Sequence, residues 1–316
     1  MRRRMRIFVA VIFALSGLAP GVSTAQSGIP GWLAAHVGTG EGQIAPVVLE
    51  RARGLYRDRV RRGQVKNPCY MAMDATRAGG SRRYYTICEA QKVFRAVSSG
   101  HGNGRKLQQA NFANGRQCAR HFSNAEGSKL TMGGDYITAE TRTSFKGYIR
   151  QSGKLVPFHR TFLLFDGTGE TSNARERAIG GHQAVFVKWQ CRMQMPQSPY
   201  ADKAGYVPVG RLVDYTGGRS NGCTTWSGEA TREILRLTER RPTTLYIYPE
   251  GKDIEAVEKV ARAGASVPGN GLYWNNACLR EIGAPKFWPK RKLQPVINRW
   301  RRSLPKSEPR ELPICG

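Results

Sequence analysis

The run Arg83-Tyr84-Tyr85-Thr86-Ile87-Cys88, followed after a short polar gap by Lys92-Val93-Phe94-Arg95-Ala96-Val97, sets the character of the chain. Both halves are rich in β-branched and aromatic residues, and the gap reads as a turn, so the stretch predicts two paired strands. Similar short runs at 135–139, 145–149, 161–165, 184–188 and 244–248 predict further strands, separated by long loops of Gly, Ser and Asn. Helical signals are fewer. Pro46 opens a helix whose apolar residues Val48, Leu49, Ala52, Leu55, Tyr56 and Val60 keep to one face, and Gly63 stops it. A second helix is expected over 229–239 with Ser227 as its cap, and a third over 253–263 ended by Gly264. Many short strands with few helices predict a mainly β core with flanking helices, an α+β fold built on a sandwich or barrel-like sheet.

The N-terminus reads as a leader. Met1 to Arg6 is basic, Ile7 to Leu18 is apolar, and Val22-Ser23-Thr24-Ala25 supplies the small residues that a signal peptidase reads. The apolar run is too short for a comfortable membrane span, and no later segment has enough consecutive apolar residues for one. Export to the periplasm or the medium is therefore expected, with cleavage after Ala25. Hydrophobic residues make up 40% of the chain, enough for a core and too many for a disordered protein.

Export changes how the seven cysteines read: six can form three disulfides, leaving one thiol without a partner. No CxxC and no Cys/His pair at zinc-finger spacing occurs, which argues against a structural zinc site. The formal charge of +27, or +23 without the four leader arginines, favours a polyanionic partner, and for an exported protein that is cell-wall polymer before nucleic acid. No stacking motif or recognition helix supports a nucleic-acid role.

Cys223 is the candidate for the odd thiol, in Gly218-Arg219-Ser220-Asn221-Gly222-Cys223-Thr224-Thr225-Trp226-Ser227. Gly222 permits a sharp turn, backbone N–H groups in such a turn can face an oxyanion, and the following helix adds partial positive charge. A nucleophilic thiol also needs a base, for which histidine suits neutral pH. Of the five histidines, His36 lies in the lead-in, and His121 and His159 read as surface or loop residues. His101 occupies a glycine-rich loop that could approach a substrate, and His182 directly precedes the strand at 184–188, on a rigid edge.

The order of segments resembles the murein L,D-transpeptidase (YkuD-like) catalytic domain. The matching stretches are Ser99-Gly100-His101-Gly102, then Phe122-Ser123-Asn124 through Ser128 to Gly133-Gly134-Asp135, then Asn173 through Arg177 and Ala178 to His182, and finally Gly218 to Cys223. The resemblance implies a β-rich catalytic domain over 67–250, preceded by a leader (1–25) and a lead-in with helix (26–66), and followed by a basic extension (251–316). Gln190 to Tyr206 reads as an insertion, with Cys191 as a possible staple. Cys223 would be the nucleophile and His182 its base. Ser220 and Gly222 would shape the turn and its oxyanion donors, while His101, Asn173, Arg177, Arg219 and Asn221 would contact substrate. The implied reaction is cysteine-dependent acyl transfer on peptidoglycan stem peptides, without metal or organic cofactor. The alternatives are an L,D-carboxypeptidase, with water as acceptor, and a non-catalytic cationic cell-wall binder.

Overall fold

The structure, a computed structural model, describes residues 28–264, 273–305 and 311–316; the expected leader at 1–25 falls outside them. After a short helix α1 (Gly31–Ala34) comes α2 (Pro46–Arg61), which begins at its proline as read from the sequence. Strands β1 (Tyr70–Asp74), β2 (Arg82–Cys88) and β3 (Val93–Ser98) form an antiparallel meander that contains the predicted hairpin. The long stretch that follows is irregular apart from β4 (His101–Gly102) and β5 (His121–Phe122). Next are β6 (Gly134–Gln151), β7 (Lys154–Gly167), β8 (Gly180–Gln183), β9 (Val185–Gln194) and β10 (Tyr206–Asp214). The chain continues through β11 (Arg219–Ser220), β12 (Thr224–Trp226), α3 (Gly228–Thr238), β13 (Thr244–Tyr248) and α4 (Gly251–Arg262). It ends with α5 (Asn276–Ile282), β14 (Lys286–Phe287) and α6 (Lys290–Ser303).

The protein is mainly β, with a mixed sheet flanked by helices. Its strands run in the order β12-β8-β7-β6-β13-β1-β2-β3, and β10 joins the far half of β6 and pairs with β9. β1 and β13 lie in the middle and are buried on both faces, as strands covered on two sides must be. Alternation divides their side chains: Met71, Met73, Leu245 and Ile247 enter one core, and Tyr70, Ala72, Tyr246 and Tyr248 enter the other. Helix α2 covers the second core with Val48, Leu49, Ala52 and Leu55. Against the first core pack α3, through Ala230 and Ile234, and α4, through Ile254 and Val257. The sheet curls until Gly100, just beyond β3, meets the opposite edge, where its N–H donates to Thr225 O at 3.0 Å. That bridge joins the edges without a ladder that closes a barrel.

Several sequence expectations change in detail. The runs at 135–139 and 145–149 are two parts of one long strand, β6, whose exposed polar middle (Glu140 to Ser144) hides the connection. The Gln190–Tyr206 stretch is the tip of the β9–β10 hairpin. Helix α6 of the C-terminal part is packed on the body: its Leu293 and Ile297 join Phe112, Ala125 and Leu130 in a third cluster. The cysteines pair as Cys69–Cys88, Cys118–Cys278 and Cys191–Cys315, the last two tying that C-terminal part to the sheet and its long loop. Such bonds are compatible with an oxidising compartment. Among the described residues no helix is long and apolar enough to cross a membrane.

Trp226 ends β12 fully buried, edge-on to Tyr84 with centroids 5.2 Å apart, and its ring leaves no room for a Cβ on Gly181 of β8. Trp226→Ala is expected to destabilise the fold by about 3–5 kcal/mol through the cavity it opens, measured as a lower urea midpoint with unchanged slope.

Candidate active site

Cys223 is the one cysteine outside a disulfide. The turn that carries it is built by Ser220, whose hydroxyl accepts from Gly222 N–H at 3.1 Å and donates to Cys223 O at 2.5 Å. Gly222 has φ +121°, and a Cβ there would press against Ile179 Cδ1 and Leu130 O at 3.0 Å, so both conformation and space call for glycine. Ser220 and Gly222 thus hold the turn, but the Gly222 N–H is already taken by the serine and is not free for an oxyanion.

Beyond the turn, β12 runs parallel to β8 with Thr224 beside Gly181 and Thr225 beside His182. Trp226 and Gly181 share the core face, so Thr225 and His182 face the other way. Cys223 directly precedes this strand, two residues before Thr225. Neither side chain is widely open to solvent: Cys223 is 8% and His182 6% exposed.

The imidazole is held in one tautomer. Its Nδ1 lies 2.7 Å from the Gln183 carbonyl, which can only accept, so Nδ1 carries the proton and Nε2 keeps its lone pair. Phe162 of β7, the register partner of His182, stacks on the ring with centroids 5.5 Å apart. Burial, with Arg160 and Lys146 adding positive charge, pushes His182 down to about 4, against the pull of the Gln183 hydrogen bond. The thiol faces Ala178 O at 3.7 Å. Burial pushes it up, eased by a hydrogen bond from the Gly180 backbone and by the charges of Arg160 and Arg177. Ala178 reaches this position with φ +50°, unusual for a residue with a Cβ. At rest, therefore, the Cys223 thiol and the His182 imidazole are both neutral.

Other residues singled out in the sequence divide into two groups. Arg177 is close to the thiol; its guanidinium donates to Leu130 O at 2.6 Å and its charge acts on Cys223 and Tyr136. Asn173 holds Asn124 O at 2.8 Å and fixes the loop leading to Arg177. Asn221 is exposed at the turn, and Arg219 donates to Asn114 O at 2.7 Å. His101 is not available to a substrate: it is 0% exposed, accepting from Arg83 Nη2 on Nδ1 at 2.8 Å and donating from Nε2 to Gly115 O at 3.1 Å. His121 is likewise buried, in β5, rather than in a surface loop, because Asn114 folds the loop inward by bonding Gly102 O, His121 O and two backbone amides. His159 does lie at the surface, against the Tyr200 hydroxyl at 2.8 Å. His36 stacks on Phe94 with centroids 4.4 Å apart, so the lead-in belongs to the packed structure.

Sequence reasoning missed Phe162, Arg160, Lys146 and Tyr215. The first two lie in and beside a run already read as a strand, with the period-2 spacing that puts them on one face; the signal was present, but its partner strand was not visible.

The pH response follows from the two shifts. A buried thiol resists becoming a thiolate, so alkylation of Cys223 by iodoacetamide should rise with pH and reach its midpoint above that of an ordinary cysteine, ~8.5. Because His182 is neutral down to about 4, no thiolate–imidazolium plateau is expected between there and neutrality. Stopped alkylation with intact-mass readout from pH 4 to 10 measures both; a flat reactive plateau at acid pH would contradict the neutral resting pair. No family model, curated protein or solved structure matches this chain.

Proposed function

We propose that the protein is an exported thiol acyltransferase of the L,D-transpeptidase type, acting on peptidoglycan stem peptides. The observation that carries this reading is the one free thiol at the entry to β12, next to the strand whose His182 is held in a tautomer that leaves Nε2 unprotonated. Six cysteines are consumed in disulfides, which leaves the seventh as a thiol available to act as a nucleophile. The ordered sequence resemblance supplies the substrate class. The basic leader and the disulfides support export, and the positive charge supports an acidic cell-wall partner.

In this mechanism the thiol turns from Ala178 O toward His182 and gives its proton to Nε2 as Sγ attacks the carbonyl of the third stem residue, at its L-centre. Arg177 and Arg160 stabilise the sulfur's negative charge. The tetrahedral adduct expels the terminal D-alanine, whose nitrogen takes the proton from Nε2. An imidazolium in this environment is a strong acid, which favours that step. An amine from a second stem then attacks the thioester and passes its proton to Nε2. Sγ leaves and recovers the proton, and a cross-link remains.

Cys223→Ala should abolish turnover of purified disaccharide-tetrapeptide, and His182→Gln should lower it by about 10²–10⁴-fold, both with unchanged near-UV circular dichroism. Mass analysis separates a cross-linked dimer from a shortened monomer, the product if water is the acceptor. Turnover retained without Cys223 would refute the proposal.

A further inference from the structure

We infer that Arg160 and Lys146 form a carboxylate-binding subsite beside Cys223 and His182. It takes the free C-terminal carboxylate of the acyl-donor peptide; naming that ligand rests on the acyltransferase reading, whereas the subsite itself does not.

The placement comes from strand register. Arg160 of β7 stands opposite Ser144 of β6 and two residues before Phe162, the residue stacked on His182. Alternation therefore puts Arg160, Phe162 and His182 along one face. One guanidinium N–H reaches across to Val185 O at 3.3 Å, anchoring the head beside the strand that follows His182. No other hydrogen bond is made by this side chain among the described residues, so four of its five donors are uncommitted. Lys146 is the extra residue of the bulge between Phe145 and Gly147 on the neighbouring strand. Its backbone carbonyl accepts from Trp189 Nε1 at 2.7 Å, which fixes the bulge and leaves the ammonium without a hydrogen-bond partner among the described residues.

Neither cation has an acidic partner among the described residues, although ion pairs occur elsewhere, as where Arg175 holds Glu140 and Asp166. The nearby acid, Asp214, pairs with Val185 across the β9–β10 ladder, but its carboxylate accepts from Thr216 N–H at 2.7 Å. Both cations are half-buried, and burial together with Arg160 lowers the Lys146 ammonium from its usual value. Two like charges brought together in a partly desolvated place leave electrostatic work that an anion would recover. Both also act electrostatically on His182, and Arg160 on Cys223 and Tyr215, in keeping with the placement by strand register. Tyr215 in turn packs on Phe186, which is 43% exposed, with centroids 5.9 Å apart.

A guanidinium with free donors and an adjacent ammonium suit a carboxylate, which accepts a bidentate pair from arginine. In the acyl donor that group belongs to the leaving residue, directly beyond the scissile amide. Its charge would offset the two cations that add to the effect of burial on His182, so the bound donor would itself strengthen the base that its reaction needs.

The test compares alkylation of Cys223 by iodoacetate, which carries a carboxylate, with alkylation by iodoacetamide, which is neutral. Any change in thiolate fraction affects both reagents alike, so their rate ratio isolates carboxylate recognition. The iodoacetate-to-iodoacetamide ratio is expected to fall about tenfold in Arg160→Gln/Lys146→Met, the loss of roughly one charge-assisted hydrogen bond, and to be largely retained in Arg160→Lys. An unchanged ratio in the folded double variant, checked by thermal melting, overturns the subsite. With tetrapeptide donors, the wild type should prefer a free over an amidated C-terminus and the double variant should not. A ratio change in a protein that transfers no acyl group from either donor would uphold the anion subsite while refuting the acyltransferase reading.

Discussion

The parallel pairing of Thr224–Trp226 with Gly181–Gln183 is the constraint on which the site depends. It is a short ladder, and a one-residue slip of β12 against β8 would turn Trp226 away from the core and Thr225 toward it. Trp226 prevents the slip: its ring fills the space over Gly181, where a side chain would clash. The packing that stabilises the core thereby also sets the register of the two strands next to which Cys223 and His182 lie. The bridge from Gly100 to Thr225 secures the same strand from its other side.

What the sequence made legible is local. The hairpin from Arg83 to Val97, the proline-opened α2, the Ser227 cap of α3 and the glycine after α4 all follow from short-range patterns. Ser227 does accept from Ala230 N–H, at 3.2 Å. The candidate thiol was legible too, since seven cysteines cannot all pair. What was not legible depends on contacts between distant residues. His101 and His121 look like loop histidines until Asn114 draws their segments inward. The exposed middle of β6 reads as a loop because a strand facing solvent there has no apolar alternation to reveal it. Arg160 gave no sign of its place near Cys223, because that place exists only through the β7–β8 and β8–β12 registers.

The electrostatics of the site run against a preformed thiolate. Burial raises the thiol and lowers the imidazole, so each group is most stable uncharged, and nearby arginines ease only the first. Reactivity is then conditional on what occupies the cleft. A site of this kind spends little time as an exposed nucleophile, an advantage where oxidants that form disulfides are present.

The disulfides carry a further consequence, for the order of assembly. Cys69 meets Cys88 only 19 residues later, but Cys118 awaits Cys278, 160 residues on, and Cys191 awaits Cys315, 124 residues on. A chain oxidised from its N-terminal end while it emerges therefore holds Cys118, Cys191 and Cys223 as thiols together for much of its biogenesis. Three sulfurs then compete for one another before their proper partners arrive, and pairing by proximity in sequence would consume the one that the folded structure leaves unpaired. The burial of Cys223 against Ala178 and Gly180, at a sheet edge whose strands all precede α5 in the chain, offers a way for the fold itself to sort the thiols. Maturation of the protein is thus a problem of timing as well as of geometry.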